Sequence, residues 1–182
     1  MDILKSATDW AKDELVSTPF FILAGALFLV ISFGLWHVGK TDLARAYIIP
    51  MLVAGSLLAI IGLGLFFTNK ARIDQFKIDH TENRIAFLDS EVARTDATLK
   101  EYKNVVFTGI PVIIGICISI LFFVHLPVWR ATMITSITML SVILLIDGLA
   151  HARISDYNKQ LRQAQKEIQN DPEANNDFNV QL

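Results

Sequence analysis

The stretch VWRATMITSITMLSVILLIDGLAHARISDYNKQLRQAQKEI, residues 128–168, decides the fold of this chain. Its first half, residues 128–149, is long and apolar enough to cross a bilayer as a helix, for which about 20 apolar residues suffice. Its second half is polar, but apolar side chains recur every three or four residues, which is the period of one helix face. These side chains are Ile154, Tyr157, Leu161, Ala164 and Ile168. The stretch predicts one continuous helix that leaves the membrane and packs against other helices in water.

The composition of the whole chain agrees with a membrane protein. Of its 182 residues, 53% are hydrophobic, which exceeds the usual share in a soluble domain. The charged residues form blocks between four apolar runs of about 20 residues, the pattern of a polytopic membrane protein. The net charge of −2 argues against a nucleic-acid partner. An all-α integral membrane protein with four transmembrane helices, embedded in a lipid bilayer, is therefore predicted.

The same pattern divides the chain into six segments. Residues 1–18 form an amphipathic interfacial helix, 19–68 the first two transmembrane helices, 69–103 a cytosolic helical hairpin or arm, 104–149 the third and fourth transmembrane helices, 150–170 the cytosolic extension of the fourth, and 171–182 a disordered tail. The hydroxyl and proline pattern Ser17-Thr18-Pro19 predicts that the first transmembrane helix starts there. The apolar face of residues 1–18 is expected to lie along the membrane surface, with docking onto the chain's own cytosolic helices as the alternative.

The arm carries a second apolar stripe, with a capping-box pattern at residues 79–82 that predicts its turn. The stripe consists of Ile85, Leu88, Val92, Leu99 and Tyr102, and Ile78 extends it backwards. The simplest interpretation is that this stripe and the stripe of residues 154–168 bury each other within one chain, as a small coiled-coil-like bundle. The alternative is pairing between chains or with a cytosolic partner protein.

The basic residues predict the topology. Most of the 16 Lys and Arg residues fall in the N-terminal segment, the arm and the tail, and the exceptions are Lys40, Arg45 and Arg130. Because basic residues favour the cytosolic side of a membrane, both termini and the arm are expected in the cytosol, beneath an inner or plasma membrane. Proline and glycine predict further details, namely kinks at Pro50 and Pro111 and close-packing surfaces at Gly55, Gly62, Gly64 and Gly115 with Ser119.

Asp147 is the one acid inside an apolar run, where a carboxylate is costly and faces protein or water. It shares a helix face with Thr132 and Ser136, because the spacings match whole helical turns. One interpretation is a hydrated polar seam that leads to an acid at the cytosolic mouth. The other is a structural ion pair, for which the cations in reach are Lys70, Arg72, Lys103 and His151.

The chain carries no motif for catalysis, a cofactor or a metal: phosphate loops, HExxH, paired cysteines and nucleophile elbows are all missing. The leading hypothesis is a non-enzymatic membrane protein that assembles, with itself or a partner, through transmembrane packing and the arm. The first alternative is a homo-oligomeric ion channel with a hydroxyl-lined fourth helix and Asp147 at its mouth. The second alternative is an accessory or immunity-type subunit of a membrane complex.

Overall fold

The computed structural model describes residues 3–170, and these residues are helical apart from short connections. The helices are α1 (Ile3–Val38), α2 (Asp42–Ala46), α3 (Ile48–Glu82), α4 (Arg84–Glu101), a π-helical segment (Tyr102–Gly109), α5 (Ile110–Phe123) and α6 (Pro127–Asn170). Within residues 3–170, four helical stretches are long and apolar enough to cross a membrane, which is the predicted number. The tail predicted to be disordered lies outside the described residues.

Helix α6 is one uninterrupted helix of 44 residues, as the organising stretch predicts. At a rise of about 1.5 Å per residue it is roughly 66 Å long, about twice the thickness of a bilayer's hydrocarbon core. Its apolar half follows a tight turn at residues 124–126, and its polar half carries the stripe Ile154 to Ala164, which is buried. The same rigid element therefore belongs to both the apolar and the polar part of the molecule.

Helix α1 does not begin at Pro19, so the predicted helix start there is wrong. The helix runs from Ile3 through Pro19 without a break, and the Thr18 hydroxyl donates to the Glu14 carbonyl oxygen over 3.0 Å. Proline removes one backbone hydrogen bond from a helix interior. The loss is tolerated because the turns on both sides of Pro19 are packed, with Ala11, Thr18 and Phe21 all buried.

The turn of the arm is also displaced from its predicted position. Helix α3 continues through residues 79–82, and Asn83 caps α4 by accepting a hydrogen bond from the Ala86 amide over 2.9 Å. The Asp79 carboxylate does not cap a helix, because it accepts a hydrogen bond from the Gln75 side chain one turn earlier, over 2.7 Å. The capping-box prediction therefore placed the turn one helical turn too early.

The prolines of the second and third apolar stretches change the helices differently from the predicted kinks. Helix α2 ends at Ala46 and α3 begins at Ile48, so Pro50 lies in a first turn, where its missing N–H costs little. Before Pro111 the backbone widens into the π-helical segment, in which the Thr108 hydroxyl donates to the Lys103 carbonyl oxygen over 2.9 Å. A break and a π segment thus replace the two expected kinks.

Helices α1 and α3 pack closely through small residues. A Cβ atom on Gly25 would lie 2.8 Å from the Gly55 carbonyl oxygen, and a Cβ on Gly55 would lie 2.8 Å from that of Gly25. Only glycine permits this approach of two backbones. Gly62 is in similar contact with Ile22, whereas Gly64 and Gly115 face open space. The predicted packing role thus holds for Gly55 and Gly62 but not for the other two within this chain.

The polar halves of the helices form a second core, which we call the polar bundle: residues 3–18, 69–82, 84–102 and 150–170. Its buried residues are Ile3, Ala7, Trp10, Ala11, Phe76, Phe87, Leu88, Val92, Ile154, Tyr157, Leu161 and Ala164, and Leu99, Tyr102 and Ile168 pack at its edge. The two stripes therefore pack against each other within one chain. Ile78 is exposed, and Ile85 is half-buried outside the core, so the stripe is shorter than predicted.

The N-terminal segment is the fourth helix of this bundle. Ile3, Ala7 and Ala11 are each 0% exposed, so the face expected to lie on the membrane surface is covered by protein. The interfacial position is thus replaced by the alternative, docking onto the chain's own helices. The physical reason is that the two stripes alone leave an apolar groove, which the N-terminal face fills.

Candidate functional site

Trp10 lies at the centre of the polar bundle, where side chains from four helices meet. Its ring stacks on that of Tyr157, with centroids 5.2 Å apart and planes 9° from parallel. The guanidinium carbon of Arg94 lies 4.6 Å from the Trp10 ring centroid, and that of Arg72 lies 5.5 Å away. Cations over an indole face are attracted by its negative potential, most strongly when both are desolvated. Trp10 of α1 therefore joins α3, α4 and α6.

A buried ion pair lies beside this aromatic stack. Both side-chain oxygens of Glu91 accept hydrogen bonds from Arg94, over 2.7 and 2.6 Å, and Tyr157 donates its hydroxyl hydrogen to Glu91 over 2.9 Å. Glu91 is only 5% exposed. Burial raises the pKa of Tyr157, and the neighbouring Glu91 carboxylate raises it further, so its hydroxyl keeps the hydrogen that it donates. A buried charge is tolerated when its hydrogen-bonding capacity is met, as it is here.

A polar contact farther along α6 fixes the alignment of α4 and α6. The Asn158 amide donates to the Thr95 hydroxyl over 2.7 Å and to the Asp96 carboxylate over 2.9 Å. Arg162 donates to the other Asp96 oxygen over 2.6 Å, and this hydrogen bond is the main reason that the pKa of Asp96 is lowered. A buried asparagine between helices favours the one register in which it is paired.

A third polar contact lies where the polar bundle meets the apolar stretches. Arg153 of α6 donates to the Glu14 carboxylate over 3.2 Å and to the Ser17 hydroxyl of α1. Burial raises the pKa of Glu14, and the hydrogen bond from Arg153 opposes that rise. This contact ties α1 to α6 one turn before Pro19.

Asp147 is half-buried near this boundary, and it takes part in none of the ion pairs within residues 3–170. Arg72 lies instead against Trp10 and donates to Asn69 over 3.2 Å. Lys70 and Lys103 are exposed. The structure thus does not bring Asp147 together with its three predicted partners, because the cations that face inward are engaged by the polar bundle.

His151, the fourth candidate partner of Asp147, belongs to an aromatic cluster. Its ring lies 5.6 Å from that of Tyr102 and 5.0 Å from that of Phe107, in edge-to-face geometry. Tyr102 and Phe107 belong to the π-helical segment, so this cluster packs that segment against α6.

The predicted hydroxyl seam is brought together only in part. Thr132 and Ser136 line a cavity of about 250 Å³ between α3 and α6, together with Thr135. Asp147 does not line that cavity; it lies 11 residues beyond Ser136, or about 16 Å along the helix axis. The hydroxyls and the acid are therefore separate features.

Sequence reasoning missed the residues that form the polar contacts. The sequence patterns single out neither Glu91 and Arg94 in the arm nor Trp10 and Arg153, whose contacts join different helices. One signal was available: Glu91 and Arg94 are three residues apart and flank Val92 of the stripe, a spacing that favours an ion pair along a helix.

The chemistry of these contacts is structural, since the buried charges of Glu91 and Glu14 are met by arginines. Within residues 3–170, no three His, Cys, Asp or Glu side chains come close enough to hold a metal ion. Compared with known proteins, the chain matches no family model, no curated protein and no solved structure. The geometry of the chain itself is therefore the basis for proposing a function.

Proposed function

We propose that the protein is a non-enzymatic membrane module that assembles with a second copy of itself through the exposed face of α5. In this proposal the polar bundle lies in the cytosol, as the distribution of basic residues predicts. The observation that carries the proposal is a difference in burial. The apolar side chains of the polar bundle are covered by protein, whereas most side chains of α5 are exposed.

The polar bundle offers little apolar surface for a partner. Leu88 is 1% exposed and Leu161 is 0% exposed, and both are covered by helices of the same chain. Assembly through the apolar stripes would require the bundle to open. We therefore propose an assembly surface on the apolar helices rather than on the arm.

Helix α5 is the least covered of the apolar helices. It packs mainly against α6, and among its residues only Ile110 and Cys117 are buried. Gly115 and Ser119, one turn apart, form a shallow face, and nothing lies within 4 Å of a Cβ built on Gly115. Lipid tails are as apolar as leucine, so helices associate in membranes where small residues let them pack closely. This face fits another helix of the same kind.

The oligomeric state in lipid nanodiscs tests the proposal, with Gly115→Leu as the variant. Gly115 is exposed and a Cβ at this position meets no atom within 4 Å, so the fold should be unchanged. The wild type should be oligomeric and Gly115→Leu monomeric. Gly34→Leu is the matched control, since Gly34 of α1 is also exposed and also faces open space. Equal oligomeric states in all three proteins would contradict the proposal.

A partner subunit is the alternative occupant of this face, as in an accessory protein of a larger membrane complex. Membrane proteins that co-purify with the wild type and the Gly34→Leu variant, but not with the Gly115→Leu variant, would favour that assembly over a homo-oligomer. If neither the oligomeric state nor the co-purifying proteins change in the Gly115→Leu variant, both forms of assembly through α5 are contradicted.

An ion channel is a second candidate, favoured by one observation. Asp147 is half-buried without an ion-pair partner among the described residues, and such an acid near a pore mouth attracts cations. In planar bilayers, Asp147→Asn should then reduce cation selectivity. Absence of conductance in the wild type, or unchanged selectivity in the variant, would remove this candidate.

A further inference from the structure

The π-helical segment joins two helices whose inward faces are out of step by one residue. Along α4 and up to its end, the inward side chains follow a seven-residue repeat, at Leu88, Val92, Thr95, Leu99 and Tyr102. The two buried side chains of α5, Ile110 and Cys117, are also seven residues apart. Tyr102 and Ile110, however, are eight residues apart. The segment therefore contains one residue more than a continuous repeat requires.

The backbone accommodates this extra residue directly before a proline. The Ile110 amide donates to the Val105 carbonyl oxygen, five residues earlier, whereas an α-helix uses the carbonyl four residues earlier. Pro111 follows Ile110, and in an α-helix a proline ring clashes with the carbonyl four residues before it, which here belongs to Phe107. Since Phe107 lies in the π-helical segment, Pro111 favours the π-helical form over the α-helical one.

Helix α5 has a second apolar face that could pack against α6. If the segment became α-helical, the repeat of α4 would continue inward at Gly109, Ile113, Ile116 and Ile120. Helix α5 would then be turned about its axis by about 100°, the rotation of one residue. Ile113 and Ile116 are 47% and 53% exposed here, and they are as apolar as the pair that is buried. Either face can therefore pack against α6, which is the main neighbour of α5.

We infer that the π-helical segment is a rotational switch of α5, held by Pro111 in the setting that turns Gly115 and Ser119 outward. Both residues are exposed in the π-helical form. A change of the segment to an α-helix turns their face by about 100° around α5 and so withdraws it from a second copy. This consequence for assembly rests on the proposed function, whereas the rotation is a property of a single chain.

The oxygen accessibility of nitroxide labels, measured by electron paramagnetic resonance, tests the rotation. One label is placed on the native Cys117, and the other on Ile116→Cys in a Cys117→Ser background. Nanodiscs that hold one chain each keep a second copy from covering α5. Since Ile116 is 53% exposed and Cys117 is 8% exposed, oxygen should reach the label at position 116 more readily in the wild type. Pro111→Ala should reverse this order.

Deletion of Thr108 in the Pro111→Ala variant is the matched control. It removes the extra residue, so an α-helical segment should again turn Cys117 inward and restore the order of the wild type. An unchanged order in Pro111→Ala would overturn the inference. Equal accessibility at the two positions would also overturn it, because α5 would then be loosened rather than turned. So would a deletion variant that keeps the reversed order.

The oligomeric state in nanodiscs large enough for two chains separates this inference from the proposed function. The wild type and the deletion variant should be oligomeric, and Pro111→Ala should be monomeric. A monomeric wild type would contradict assembly through α5 and leave the rotation standing. An oligomeric Pro111→Ala variant in which the order of accessibility is reversed would show that the rotation does not control assembly and would overturn the switch.

Discussion

The ring of Trp10 lies parallel to the ring of Tyr157, 5.2 Å away, and so joins the first helix of the chain to the last. Both residues are buried, at 7% and 3% exposure. This stack makes the N-terminal segment a part of the core of the polar bundle. Since α1 and α6 continue into the apolar half of the molecule, the stack also fixes how those two helices enter it.

Replacement of Trp10 by alanine should be among the most destabilising single changes in the polar bundle. The variant loses the ring stack with Tyr157, its contact with two arginines, and the volume of a buried indole. Loss of a buried aromatic side chain costs about 3 to 5 kcal/mol. Chemical unfolding in mild detergent, monitored by helical circular dichroism, measures the free energy of unfolding.

Trp36→Ala is the control for this change, because Trp36 is on the same helix and is 65% exposed. It should alter the free energy of unfolding by less than about 0.5 kcal/mol, as exposed positions usually do. Equal effects of the two replacements would show that the N-terminal segment is not a packed part of the bundle.

The titration of Glu14 should make stability depend on pH. Burial raises the pKa of Glu14 above its ordinary value of 4.5, so the folded state binds this proton more tightly than the unfolded state does. The resulting stabilisation is fully present below pH 4.5 and is lost as pH rises through the folded pKa. Glu14→Gln cannot titrate, so the wild type should gain more stability than this variant when pH is lowered from 7 to 4.

Thermal unfolding of both proteins across this pH range measures the difference. Glu101→Gln, at an exposed position at the end of α4, controls for the loss of one negative charge. A wild type and a Glu14→Gln variant whose unfolding temperatures change in parallel would show that Glu14 is not buried against Arg153.

The close contact of α1 and α3 should be intolerant of side chains. A Cβ at Gly55 would lie 2.8 Å from the Gly25 carbonyl oxygen, which is backbone and cannot move aside cheaply. Gly55→Leu should therefore lower stability by about 1 to 3 kcal/mol or more, as overpacking does. Gly64→Leu on the same helix meets no atom within 4 Å at its Cβ and should unfold like the wild type. Equal free energies of unfolding for the two variants would contradict the close contact of α1 and α3 at Gly55.

Periodicity and composition were sufficient to predict the long helices and the packing of α4 against the polar half of α6. The 3.6-residue repeat of Ile154 to Ile168 predicted that α6 continues beyond its apolar half, and the repeat from Leu88 to Tyr102 predicted its neighbour. These signals are strong because each residue of a buried stripe contributes to the same face.

Local signals were less reliable where tertiary packing opposes them. Ser17-Thr18-Pro19 has the composition of a helix start, yet buried residues on both sides keep the helix intact. The ion pair predicted for Asp147 is not formed among residues 3–170. Sequence spacing shows which cations are near an acid, but not that Arg72 is already held against Trp10.

Cysteine crosslinking across α5 in native membranes tests the assembly proposal most directly. Cys117 is the sole cysteine of the chain, so Cys117→Ser provides a cysteine-free background. In that background, Ser119→Cys places a thiol on the face of Gly115, and Gly34→Cys places one on the exposed surface of α1. On mild oxidation, Ser119→Cys should form a disulfide-linked dimer that Gly115→Leu abolishes, and Gly34→Cys should stay monomeric. Equal crosslinking at the two positions, or none at Ser119→Cys, would contradict assembly through α5.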